Sequence, residues 1–67
     1  MSVYKEIKIG EEHDYSRQVV VRHDGSIAIS EIEISTNTIK DIVSFSERET
    51  KELCKILKEE QEAGRIG

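Results

Sequence analysis

Two His-Asp dipeptides, a single cysteine and a few scattered arginines are the residues of this 67-residue chain whose types could do chemistry. His13-Asp14 and His23-Asp24, with Glu11 and Glu12 beside the first, supply the imidazoles and carboxylates that a transition metal takes. Adjacent residues of an extended strand point to opposite sides, however, and both dipeptides fall in turn-forming sequence. They read as solvated turn residues, and neither a metal nor any other cofactor is expected. Cys54 is a potential nucleophile, since Lys51, Lys55 and Lys58 would lower its thiol pKa if close. On a helix it falls between Leu53 and Leu57 in angle, which makes it a small buried hydrophobe. No His-acid pair lies near it in sequence, so no catalytic residue is assigned and the chain is read as a non-enzyme.

Two further groups could bind without reacting. Arg17 and Arg22 can grip phosphate in bidentate fashion, and Tyr15 offers a stacking ring. Together they make a candidate site for a small ligand such as a nucleotide signal, placed at an oligomer cleft. A chain this short has little room for both a core and an enclosed pocket of several hundred cubic ångströms. Glu11, Glu12 and Asp14 form a candidate acidic docking loop for a basic protein surface.

The elements that must position these residues are those of one small domain, residues 1–64, with 65–67 as a frayed tail. A domain of this size buries only about 60% of its unfolded surface, so it needs a helper. One cysteine excludes an internal disulfide, and self-association is the remaining means. Fourteen acids against ten bases give a formal charge of −4 with no basic cluster, which disfavours nucleic-acid binding. No basic start precedes an apolar run, and the longest apolar run is Val19-Val20-Val21, so neither a signal peptide nor a membrane span is expected. A cytoplasmic setting fits the lone thiol.

Val3 to Ile9 alternates with period two, placing Val3, Ile7 and Ile9 on one side of a strand. Gly10 ends it, and Glu11 to Ser16 is a polar loop. Arg17 to His23 is a second strand. Asp24-Gly25 then predicts a hairpin through a two-residue type I′ turn. The third strand starts at Ile27, and its phase changes: Ile27 and Ile29 share one face, Ile32 and Ile34 the other. A bulge near Ser30-Glu31 would reconcile them; otherwise both faces are partly apolar. Asn37 suits a left-handed turn position. Ile39 to Phe45 reads as a short fourth strand, with Thr38 to Asp41 alternatively an irregular loop. Ser46 and Glu49 form a capping box opening a helix to Ala63, with Leu53, Cys54, Ile56 and Leu57 on one stripe. Gly64 follows as a left-handed cap.

The predicted class is therefore α+β: a three- to four-stranded antiparallel sheet followed by one C-terminal helix packed on one face. The Asp24-Gly25 hairpin and the Val43-Ser44-Phe45-Ser46-Glu47-Arg48-Glu49 run into the helix resemble a loose class of small bacterial and phage proteins. Some phage-encoded members of that class inhibit host enzymes or defence systems, by masking a protein surface or sequestering a nucleotide signal. The resemblance implies an anti-defence inhibitor of a bacterial protein. A single helix covers one sheet face, so Val20, Ile32 and Ile34 are expected to form a homodimer interface on the other. The expected function is a self-associating protein-binding module. The alternative is a nucleotide-binding or nucleotide-sequestering protein.

Overall fold

A computed structural model describes residues 2–67. Four antiparallel strands, β1 (Val3–Glu12), β2 (Tyr15–Arg22), β3 (Ile27–Glu33) and β4 (Thr38–Ser44), form a meander in the order β1-β2-β3-β4. The helix α1 (Glu47–Glu62) follows. The α+β arrangement is thus as expected, with Thr38 to Asp41 belonging to a full fourth strand.

The turns obey local chemistry, with two departures. The Glu11–Ser16 loop is instead a tight turn: β1 runs on to Glu12, and only His13 and Asp14 connect it to β2. His13 takes the left-handed conformation (φ 54°) that this requires. The Asp-Gly hairpin is not type I′, because Gly25 has a positive φ (88°) but Asp24 does not. Gly25 N–H donates to the Arg22 carbonyl (3.2 Å) and Arg22 N–H to that of Ser26 (3.0 Å). This is a three-residue loop closed by a glycine bulge. The cause is the Asp24 carboxylate, which accepts from Ser26 N–H (3.0 Å) and Ser26 Oγ (2.6 Å) and holds Asp24 on the right-handed side. Asn37 is left-handed (φ 53°), as its residue type predicts.

Register decides which side chains share a face. β2 and β3 pair without interruption from Tyr15↔Glu33 to Val21↔Ile27. No bulge therefore reconciles the two isoleucine pairs, and both faces are partly apolar. The extra residues lie in the edge strands instead. In β1, Tyr4 and Ile9 are skipped, so Val3 faces Arg22 while Ile7 faces Val19. The single-face alternation predicted for Val3, Ile7 and Ile9 is broken there. In β4 the skipped residue is Lys40, between Asp41↔Glu31 and Ile39↔Ile32.

The helix begins and ends as its caps dictate. Ser46 Oγ accepts from Glu49 N–H (3.1 Å), and the Glu49 carboxylate accepts from Ser46 N–H (2.9 Å). At the far end Gly64 is left-handed (φ 76°). There Arg65 N–H donates to the Glu60 carbonyl and Gly64 N–H to that of Gln61, a Schellman motif. Arg65 also pairs with the Glu60 carboxylate, placing a cation among the acids at the negative end of the helix.

What α1 does not do is complete a core. Thr50 is its one buried residue. Ile56 is 52% exposed and Leu57 47%, and Leu53 is half-buried. Cys54, expected as a buried hydrophobe, is exposed. Among the described residues Ala28 is the one buried apolar side chain. The chain exposes 5252 Å², whereas a compact 7.7 kDa monomer exposes about 4,300 Å². Its radius of gyration is 13.4 Å, against about 11 Å for a compact chain of this length.

Candidate functional site

The joint between sheet and helix concentrates the polar detail. Phe45 N–H donates to the Ile27 carbonyl (2.9 Å), extending the β3–β4 ladder up to the cap. Thr50 then turns back to the sheet: its Oγ1 accepts from Ile27 N–H (3.2 Å) and donates to the Ser46 carbonyl (2.8 Å). Beside it, Arg22 donates to Ser26 Oγ (3.3 Å) and Ser44 Oγ (3.1 Å), bridging β2 to β4 across the start of β3. The Gly25 turn rests against the Glu47 side chain, whose Cγ would lie 3.5 Å from a Cβ at that glycine. Arg22, Asp24, Ser26, Ser44, Phe45, Ser46 and Glu47 line a depression of about 650 Å³ that is open to solvent. The Arg22 guanidinium, bonded to Ser26 and Ser44, lines this depression together with two carboxylates, Asp24 and Glu47, and, among the described residues, with no second cation.

The proposed ligand residues are not gathered in one place. Tyr15 and Arg17 share one face of β2, and Arg22 lies on the other. Arg17 is paired with Glu31 (3.0 Å) directly across the β2–β3 ladder. The acidic residues also divide. Glu11 pairs with Lys8 (3.3 Å) and Glu12 lies 3.7 Å from His13, both at the end of β1 rather than in a loop. Asp14 accepts from Ser35 N–H (2.9 Å) and Ser35 Oγ (2.6 Å), tying the β1–β2 turn to the β3–β4 turn. The second dipeptide is separate again: the His23 ring meets the Tyr4 ring edge-on, with centroids 5.4 Å apart.

Besides Arg65, raised by its hydrogen bond with Glu60, three ionisable groups are shifted by local contacts. Hydrogen bonds from Ser26, side chain first and then backbone, hold the Asp24 carboxyl below its ordinary range. The Ser46 backbone and hydroxyl do the same to Glu49. The Glu33 carboxylate, hydrogen-bonded to Lys40, raises the lysine pKa. All three belong to turns, cap and ladder.

The apolar surface is organised where the polar groups are not. Ile7↔Val19, Val19↔Ile29 and Ile29↔Val43 are register partners, so four β-branched side chains form one row across all four strands. Val21↔Ile27 adds a second pair on the same face. Ile7 is 44% exposed and Val43 52%. The opposite face holds Val20 and Ile32, two of the expected interface residues, interspersed with Ser16, Gln18 and Ser30. Ile34 lies beyond the end of β3, where its N–H donates to the Asp14 carbonyl (2.7 Å). Val20 and Ile32 lie off this row, whose signal is the alignment of one β-branched position from each strand.

The third apolar surface is on the helix. Phe45, Leu53 and Ile56, rimmed by Arg48, Glu49 and Glu52, line an open groove of about 680 Å³. No helix among the described residues is long and apolar enough to cross a membrane. Compared with known proteins, the chain matches no family model, no curated protein and no solved structure.

Proposed function

We propose that this chain is a non-catalytic, self-associating protein-binding module whose working form is a homodimer. One observation carries the reading: among the described residues of this four-stranded, one-helix unit, no large apolar side chain is fully buried. Burying apolar surface is the dominant favourable contribution to folding, so such a unit is stabilised by covering it. The excess exposure over a compact monomer, about 900 Å², is close to the roughly 800 Å² that each partner buries in a standard interface.

The polar residues support a binding role over a catalytic one. Arg17, Arg22, Asp14, Asp24 and Glu49 are engaged in ladders, turns and the cap. Cys54 lies on open helix surface. A bacterial protein bound by the assembled module, in the manner of a phage-encoded anti-defence inhibitor, is the narrower form of this proposal.

Light scattering behind a sizing column tests the assembly. Twice the 7.7 kDa chain mass is expected at micromolar concentration and above. A single-chain mass at every accessible concentration would refute self-association.

A further inference from the structure

Two apolar surfaces of this molecule lack a partner, and they differ in shape in a complementary way. One is the flat β-branched row Ile7, Val19, Ile29 and Val43. The other is the convex helix stripe of Leu53, Ile56 and Leu57, joined to its own sheet through Thr50 in the helix's first turns. Resting on the self-association proposed above, we infer that the helix of one copy lies on the row of a second copy, with the contact returned across a two-fold axis.

Three observations favour a second copy placed in this way. First, a helix and a half-apolar sheet face are each other's usual cover, since each must bury one apolar side against another element. Here one chain supplies both and leaves both open, so two chains satisfy each other without a third component. Second, edge-to-edge joining is blunted: both edge strands carry bulges, β1 at Tyr4 and Ile9 and β4 at Lys40, which interrupt the ladder a neighbour would extend. Third, the excess exposure of about 900 Å² per chain is what one standard interface removes, so a closed pair uses it up. A reciprocal contact closes at two copies, whereas a one-way contact would propagate into a filament.

Leu57→Lys and Val43→Lys, one on each proposed surface, are each expected to give a single-chain mass and a lower melting point than the wild type. Ile32→Lys, on the opposite face, is expected to remain a dimer. A second measurement does not depend on disrupting anything. Cys54 is exposed beside the stripe and can carry a benzophenone; the labelled chain is then mixed with isotopically heavy, unlabelled chain. Photolysis is expected to join Cys54 to heavy peptides containing Val19 or Ile29. Cross-links confined to the light chain, or a Leu57→Lys variant that stays dimeric, would overturn the helix exchange while leaving self-association standing. A wild-type chain that is monomeric throughout would remove both.

Discussion

At the residue scale, two carboxylates hold corners of the chain. Asp24 fixes its hairpin through two bonds from Ser26, and Glu49 closes the capping box on Ser46. Both carboxyls titrate below their ordinary values. A depressed folded-state pKa gives stability that is present above the unfolded value, about 4 for these groups, and lost as pH falls through the folded value. Thermal midpoints measured from pH 7 to pH 3 should therefore fall below about pH 4. Asp24→Asn should start lower at pH 7 and lose less on acidification. Lys40 behaves in the opposite sense: its raised pKa contributes below the unfolded value, and that contribution is lost as strongly alkaline pH passes the folded one.

At the scale of elements, the weak point is the single joint between helix and sheet. Thr50 Oγ1 satisfies the Ile27 N–H, and the hydroxyl is buried with it. Thr50→Val keeps the shape and removes the acceptor, leaving a part-buried donor unpaired, which costs about 1–3 kcal/mol. Urea denaturation should show that loss as a lower midpoint with an unchanged slope. The helix boundaries and the strand order are legible in the sequence because they rest on local rules, whereas β1 runs on to Glu12 and β2 starts at Tyr15, inside the expected loop. The capping box, the Gly64 stop, the left-handed Asn37 and the period-two runs each involve residues within a few positions of one another. The type of the Asp-Gly turn was not legible, because it depends on where the Asp24 carboxylate finds its donor.

At the scale of the whole molecule, the governing fact is a sheet and helix whose large apolar side chains, among the described residues, are nowhere fully buried. Large apolar residues number enough for a core, yet Ala28 alone among the described apolar side chains is fully enclosed. A unit stabilised by association has a concentration-dependent melting point, because mass action adds to its stability. Raising the chain concentration a hundredfold should raise the calorimetric midpoint by several degrees; an unchanged midpoint would mean that the single chain carries its own stability. This scale is also where sequence reading erred most. An amphipathic stripe shows that a helix needs a partner surface and says nothing of whether that surface belongs to the same chain. The stripe predicts Cys54 as a core residue, and it lies in the open.

By itself, then, the sequence determined the order and kind of the elements: three or four antiparallel strands, then one capped helix. Those depend on backbone preferences, side-chain periodicity and hydrogen bonds between near neighbours. Only the tertiary structure decided the bulges at Tyr4, Ile9 and Lys40, the alignment of Ile7, Val19, Ile29 and Val43 into one row, and the separation of Arg22 from Tyr15 and Arg17. Each of these turns on register between strands, and a slip of one residue moves a side chain to the other face of the sheet. Register is settled by pairing partners far apart in the chain, which no local pattern contains.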